Sequence, residues 1–558
     1  MGDSRAALRW TSKPGEERGA RVRIAIVGGG FAGMYVARHL EELRNADEYE
    51  ILLINKENHF VFQPLLPEVI SGTIGLLDVV SPLRRLLPGT ILHVREVESV
   101  DLAERTITTS TGFHPHAHVV RWDHLVLALG TVTDFRGLRG LPEHAFPFKN
   151  LSDALSLRNH LIRALEEAAL EIHDRDLRQR LLTFVVAGGG FSGVEVVAEL
   201  NDFVRHIATL YKTIDRSEIK VVLLHGQGRI LPEMDEKLAL FAQRILTERG
   251  VDVRLEARLA AATGNEALLA DGTRIPCKTL VSTVPASAHP LVDSLALPKT
   301  KNGRLAVGPT MAVQGTTHVW ALGDCAAVPA PDGGLSPPTA QHATRQARLV
   351  AENIVANLRG QAPKTFAFKG LGKMGSLGRR SAVAEVFGIK IYGFLAWFVW
   401  RTIYLFKMPG WGRRLKVAVS WTLDLFLPPE LVQVPLGGSL GVTREHFEPG
   451  QEVFHQGDVG DRVYIVLSGR AEVLHEGGSA RQSIAILGRG ECFGEMALLH
   501  STTRNATVQC VEAMDVLSLP KKEFLLLAAN LPDLQSSFEK LSAERSAGTK
   551  APTRGAES

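Results

Sequence analysis

The sequence predicts an α/β protein: two parallel, doubly wound units, then a helical segment rich in basic and aromatic residues, then a small antiparallel β-barrel. Three observations carry this. An apolar strand that breaks into glycines and resumes as a helix, IAIVGGGFAGMYVARHL, recurs 160 residues later as FVVAGGGFSGVEVVAEL. Further apolar strands such as WDHLVLALGT, VVLLHGQGRILP and TLVSTVP alternate with helical stretches, as parallel layers require. Beyond Pro435 the pattern changes to short alternating strands with glycine turns, EPGQEVFHQGDVGDRVYIVLSGRAEVL, which signal a barrel or jelly roll.

Composition bounds the function. At roughly 150 residues per domain, 558 residues suggest three or four domains. With 63 Lys+Arg against 60 Asp+Glu, the net charge of +3 supplies no global field, so nucleic acid is not an expected partner. The four cysteines, Cys277, Cys325, Cys492 and Cys510, form no CxxC pair, so no dithiol redox centre, disulfide framework or metal site is written here. A reducing cytosol fits that usage. The polar start, MGDSRAALRWTSKPGEERGARVR, lacks the apolar core of a secretory signal, and residues 1–20 read as a disordered leader. The longest apolar run, Ile391 to Trp400, is ten residues, half of what a bilayer span needs (about 20).

The first element is the glycine turn. Gly28, Gly30 and Gly33 follow a strand and open a helix, where the first permits the sharp turn, the second lets a pyrophosphate approach the backbone and the third lets helix pack on strand. Gly188, Gly190 and Gly193 repeat the arrangement, so two Rossmann-like dinucleotide-binding units are expected. The acidic residue that normally meets the ribose hydroxyls, about 20 residues on, is missing from both: Asn55 stands in the first unit and His225 in the second. That leaves NADH against NADPH open, with Arg229 a nearby cation. Glu195 replaces Tyr35 of the first copy, and either touches a nicotinamide ribose or carboxamide or complements the helix dipole.

The next elements carry a resemblance. NKENHFVFQPLLPEV after the second strand, LGD ending at Gly323 and Asp324, PPTAQHATRQ at Pro337 to Gln346, and the tail WTLDLFLPPELVQV resemble the pyridine-nucleotide flavoprotein oxidoreductases, specifically the type II NADH dehydrogenases (NADH:quinone oxidoreductases). The resemblance covers about the first 435 residues. It implies the two-dinucleotide-binding flavoprotein fold, with FAD in a domain of residues 21–150 and 295–363 and NAD(P)H in residues 151–294. It also implies a hydride passed from NADH to FAD and electrons passed on to a membrane quinone. By this resemblance Gly28, Gly30, Phe31, Ala32, Gly33, Asn55, Lys56, Gln63, Gly130 and Asp324 hold FAD, with Asp324 at the ribitol. Gly188, Gly190, Gly193, Glu195 and His225 hold the nicotinamide dinucleotide, and Gln341 and Glu195 are the catalytic candidates. Arg345 stands where the family carries glutamine. From the residues alone, Asp324 also reads as a turn residue and Gln341 as a solvent-facing one, and Cys277 and Cys325 as small buried side chains.

From Lys364 to Leu423 eleven basic residues face one acid, Glu385, and four of the seven tryptophans (Trp397, Trp400, Trp411 and Trp421) fall here. Residues 364–435 therefore read as a membrane-associating segment, too interrupted to span because Arg401 lies inside the apolar stretch, with 389–427 a monotopic anchor that sets aromatic side chains at headgroup level and Lys and Arg toward anionic lipid. A buried core helix followed by a basic turn is the other reading. LGGSLG after Pro435 reads as a linker.

The last elements, FGEMALLHSTTRNATV preceded by QGDVGDRVYIVLSG, resemble the cyclic-nucleotide-binding domain family over residues 441–540. The resemblance implies that Gly494, Glu495, Arg504, Asn505 and Ala506 hold a cyclic nucleotide. Glu495 would accept from the ribose 2′-OH and Arg504 would meet the cyclic phosphate; cAMP against cGMP stays open. Residues 541–558 are small and polar and read as a disordered tail. The expectation is thus a peripheral flavoenzyme on the cytoplasmic face of the inner membrane, with a cyclic-nucleotide regulator; a homodimer stays open. The alternatives are a soluble FAD-dependent NAD(P)H reductase and a cyclic-nucleotide sensor with a flavoprotein output.

Overall fold

The computed structural model describes residues 21–524, except 46–47, 112–117, 136, 284–285, 425, 428–430, 435–441, 477–480, 500–502 and 522. The expected leader, tail and linker therefore lie outside the described residues, as do residues 525–540 of the C-terminal domain.

Both glycine motifs sit in five-stranded parallel sheets of the same winding. In the first, Val22–Val27 is central, flanked by Tyr49–Asn55 and then Ile91–Val94 on one side, and by His124–Leu127 and then Val319–Ala321 on the other. The second sheet repeats this around Thr183–Ala187, with Lys220–Leu224 and Val251–Arg254 on one side, Thr279–Ser282 and Ala145–Pro147 on the other. Strands covered on both faces read as continuous apolar runs, and the central residues Ile24, Ala25, Ile26, Phe184, Val185 and Val186 are fully buried. The helix Phe31–Leu43 packs against the long helix Ala340–Leu358, which closes the first unit.

The chain crosses between the units twice, and the two crossings pair as antiparallel strands, Thr131–Thr133 with Ala286–Ala288. This moves a boundary. Ala145–Pro147, assigned from sequence to the flavin unit, is an edge strand of the second sheet. Three residues ending in proline show no periodicity, and proline is tolerated there because an edge strand needs no further donor.

A three-stranded antiparallel sheet, Gly372–Ser376, Ala382–Val386 and Ile389–Tyr392, leads into the tail helices Gly393–Lys407 and Trp411–Leu423. Among the described residues no helix is long and apolar enough to cross a membrane. The C-terminal module is an antiparallel sheet whose long strands Arg462–Glu476 and Thr507–Pro520 pair with each other and with Thr443–Phe447, Glu452–Phe454, Arg481–Leu487 and Cys492–Phe493. Its core stacks Tyr464 on Phe493 beside Phe454.

Candidate functional site

The two glycine turns are built alike, and their glycines divide into two kinds. Gly28 has φ +102°, and a Cβ there would lie 2.4 Å from the Ala128 carbonyl oxygen; a Cβ on Gly33 would lie 1.8 Å from the Gly28 carbonyl oxygen. Gly188 and Gly193 are equally confined, by Thr283 Oγ1 at 2.4 Å and the Gly188 carbonyl oxygen at 1.7 Å. Gly30 and Gly190 differ: a Cβ would meet nothing within 4 Å. Each is the N-cap of its helix, next to open space and unsatisfied backbone N–H groups, which is the cradle a pyrophosphate needs.

The residues that replace the ribose acid brace these turns from the neighbouring strand. The Gly29 N–H donates to Asn55 Oδ1 at 2.8 Å while Asn55 Nδ2 donates to the Glu57 carbonyl; the Gly189 N–H donates to His225 Nδ1 at 3.0 Å. That bond puts the proton of a neutral His225 ring on Nε2, and burial keeps the ring's pKa below its ordinary value. Arg229 is spent on its own loop, donating to the Pro232 and Met234 carbonyls.

Around the first turn, Phe31 packs edge-on against Phe60, and Ala32 lies where a Cβ on Gly323 would come within 3.1 Å. Gly130 has φ +65° with open space around it. Gln63 Nε2 donates to the Lys149 carbonyl at 3.4 Å, and Lys56 is exposed. Burial raises the pKa of the Asp324 carboxyl, and Lys149 and Arg304 oppose that. Lys149 donates to Thr131 Oγ1 at 2.5 Å and holds Asp324 in its field. Sequence reading missed this lysine. The signal available was NLSD, the capping box in which Asn150 and Asp153 start the next helix and so place Lys149.

Gln341 and Gln346 both act on the backbone. Buried Gln346 accepts from the Gly323 N–H at 2.9 Å, setting the turn that presents Asp324. Gln341 Nε2 donates to the Gly372 carbonyl and its Oε1 accepts from Leu371 N–H, both at 3.1 Å, so its carboxamide pins the start of the tail sheet. Arg345 donates to the Gln341 carbonyl and stacks on Phe368 at 4.1 Å.

Glu195 keeps part of its surface, yet the packing around its carboxylate pushes its pKa up to about 8; the Ser376 N–H, donating at 3.0 Å, opposes this, and the nearby Glu68 adds to it. Glu199, one turn on and fully buried, is pushed up to about 8 by the same cause. Above them lie the tail helices, whose Trp400 meets Tyr404 edge-on, and Tyr404 meets Phe62 of the first unit.

Not every basic residue of the tail faces outward. Arg401 does not point outward: it is sandwiched 4.1 Å from Trp397 and 4.7 Å from Trp421, with Nη2 3.5 Å from buried Glu68, whose other oxygen accepts from Trp421 Nε1 at 2.6 Å. A buried carboxylate needs a partner, and Arg401 meets that need. Trp397, Trp400 and Trp421 are likewise buried, while Trp411 is exposed. The outward faces carry Phe394, Leu395, Phe398, Phe406, Leu415, Val419 and Leu423.

In the module, Glu495 and Arg504 are both buried. The Arg504 guanidinium lies 4.1 Å over Phe454 and donates to the Gly494 and Arg462 carbonyls at 2.6 and 2.8 Å, with Asp461 at 3.4 Å. Gly494 has φ +85°, and a Cβ would stand 2.5 Å from Arg504. Arg504 Nε is a buried donor without a hydrogen-bond partner among the described residues, which fits a cationic group built to meet an anion. Asn505 is exposed and Ala506 half-buried beside it.

A family profile described as Pyridine nucleotide-disulphide oxidoreductase matches residues 22–347. The chain belongs to this family. Within it, the chain is 30% identical over 414 residues to the "Probable NADH dehydrogenase" of Dictyostelium discoideum, covering 72% of this chain and 89% of that protein. It is 30% identical over 449 residues to the "Type II NADH:quinone oxidoreductase Ndh" of Mycobacterium tuberculosis, covering 77% and 93%. The solved structure of NDH2 from Plasmodium falciparum in complex with NADH shares the fold at a TM-score of 0.68, with 19% identity, over 74% of this chain and 100% of that one. A second profile, Cyclic nucleotide-binding domain, matches residues 444–530.

Proposed function

We propose that this member of the pyridine nucleotide-disulphide oxidoreductases is a type II NADH dehydrogenase that oxidises NADH, or NADPH, and reduces a membrane quinone, working as a peripheral enzyme at the cytoplasmic face of the inner membrane with a cyclic nucleotide as effector. The observation that carries it is the matched pair of turns, each tight at two glycines and open at the third, with the tail helices packed over Glu195 and Phe62 between them. FAD, when bound, supplies the capacity to accept a hydride and to release electrons to an acceptor. The protein's part is placement. Gly28, Gly30 and Gly33 seat the flavin's pyrophosphate; Gln346 and Lys149 hold Asp324 toward the ribitol; Gly188, Gly190 and Gly193 seat the nicotinamide dinucleotide. Gln341 fixes the tail over the reaction space, and Glu195, protonated up to about pH 8, is a proton donor there. The exposed apolar side chains of the tail helices supply membrane contact, and the quinone would be reached from that side.

The test is NADH and NADPH oxidation with a water-soluble quinone, on protein whose flavin has been identified. Quinone reduction lost in a Gly190→Val variant is expected. Dye reduction without quinone activity would overturn the quinone reading in favour of a soluble reductase, and a protein that binds no flavin would overturn the whole.

A further inference from the structure

The cyclic-nucleotide module is fastened to the dinucleotide-binding half of the enzyme by a built joint. Its strand Thr443–Phe447 lies along the one-turn helix Leu141–His144, and the His446 N–H donates to His144 Nε2 at 2.8 Å. Two ion pairs cross in opposite senses: Arg139 to Glu448 of the module, and Glu143 to Arg444 of the module, both at 3.1 Å, with both carboxylates buried. Gln451 Nε2 adds donations to Thr263 Oγ1 at 3.1 Å and Glu266 Oε1 at 3.0 Å. Gly140 has no room for a side chain: a Cβ would stand 1.8 Å from the Ala262 carbonyl oxygen and 2.9 Å from the His446 ring. Reciprocal charges and a close backbone approach define one seating rather than a loose tether.

Both faces of this joint lead directly to a ligand site. On the enzyme side, the turn Leu141–His144 runs straight into the edge strand Ala145–Pro147, which pairs with Thr279–Ser282, and the next residue, Thr283, closes the second glycine turn against Gly188. The same turn follows the crossing strand Thr131–Thr133, which sets how the two units face each other. On the module side, Gln451 precedes the strand Glu452–Phe454, and Phe454 is the ring under the Arg504 guanidinium. His446 is tied by Nδ1 to Asp515, at 2.6 Å, on the strand Thr507–Pro520, which starts just after Arg504.

We propose that this joint makes the cyclic nucleotide a regulator of the nicotinamide half of the reaction. A phosphate that draws Arg504 from its present carbonyl partners and from Phe454 moves the strand next to Gln451, and the seating against Thr263, Glu266 and Leu141–His144 changes with it. The proposal rests on the reading of the module as a cyclic-nucleotide site and of the second turn as a nicotinamide site. Adjacency becomes coupling only when both ligands bias the joint, and coupling between binding sites is reciprocal by necessity.

The experiment uses the full-length flavoprotein. Calorimetry measures the Kd of cAMP and of cGMP with and without saturating NAD+, and the Kd of NAD+ with and without the cyclic nucleotide that binds; stopped-flow absorbance follows flavin reduction by NADH and, separately, reoxidation by a water-soluble quinone. The expected result is a shift of about fivefold or more in both Kd values by the same factor, with flavin reduction altered and reoxidation unchanged. Arg139→Ala with Arg444→Ala, or Gln451→Ala alone if the pair fails to fold, should bring that factor close to one while each ligand still binds. Cyclic nucleotide that binds without shifting NAD+, or a factor untouched by these variants, overturns the joint while leaving the module's ligand in place. No binding of either cyclic nucleotide overturns the underlying reading of the module as well.

Discussion

Substituting the glycines of one turn separates folding from cofactor binding. At Gly33 an added methyl would sit 1.8 Å from the Gly28 carbonyl oxygen. Ordinary carbon–oxygen contact is well over 3 Å, so the helix Phe31–Leu43 must move off the strand by more than an ångström. Overpacking of this kind costs about 1–3 kcal/mol, which for a unit of this size lowers Tm by about 2–4 °C per kcal/mol. At Gly30 nothing lies within 4 Å, and φ −76° with ψ −163° is extended backbone open to any residue. Gly30→Ala therefore leaves the apoprotein as stable as the parent, or more so by about 0.4–1 kcal/mol through the unfolded chain, while its methyl fills the space a pyrophosphate would occupy. The assay is thermal melting of the flavin-free proteins beside flavin content by visible absorbance. Gly30→Ala should melt with the parent and bind little flavin; Gly33→Ala should melt lower. A Gly30→Ala protein that melts as low as Gly33→Ala, or that keeps full flavin, refutes the assignment of roles.

Three further outcomes follow from the buried charges and the tail. Glu199 has a folded pKa near 8, far above that of an unfolded carboxylate, so the native state holds a proton that the unfolded chain releases; its contribution is complete below about pH 4.3 and is lost as pH rises to 8, and in urea melts Glu199→Gln should flatten that decline. Arg401→Met leaves Glu68 buried beside Trp421 without its cation and should cost about 3–5 kcal/mol in the same measurement, whereas Glu68→Gln with Arg401→Met should recover much of it. Replacing exposed Phe398 and Trp411 with serine should weaken sedimentation with anionic vesicles and leave NADH-to-dye activity unchanged; undiminished vesicle binding would count against the tail's membrane role.

What could be read in the sequence was local. A glycine turn announces itself because its constraints act between residues a few positions apart: Gly28 needs its positive φ and Gly33 its close approach whatever lies around them. The antiparallel strands of the C-terminal module were legible for the same reason, from alternation and turns. What escaped was decided by partners distant along the chain. Arg401 stood out only as a charge interrupting an apolar stretch, and its place is set by Glu68 and by the faces of Trp397 and Trp421. Asn55 and His225 stood where a ribose ligand is expected, and both are braces because the glycine backbone beside them needs an acceptor. Ala145–Pro147 is too short to signal a strand and becomes one by pairing with Thr279–Ser282.

The internal repeat also shows that the tail packs on both repeated units. Tyr35 and Glu195 occupy equivalent positions, the fifth residue, in the two repeated helices. Burial raises the Tyr35 hydroxyl's pKa, and Arg38 and then the tail's Arg414 oppose the shift; Glu195 accepts from Ser376 at the tail's first strand and feels Trp400 of its first helix. One segment thus packs on the same point of both units. An appendage serving only as an anchor would have no reason to bury its tryptophans there. If the tail is what desolvates Glu195, Trp400→Ala should return that carboxyl toward its ordinary pKa while flavin content shows that the first glycine turn persists. A pH profile of flavin reduction that keeps its inflection near 8 in this variant would separate Glu195 from the tail and end the argument.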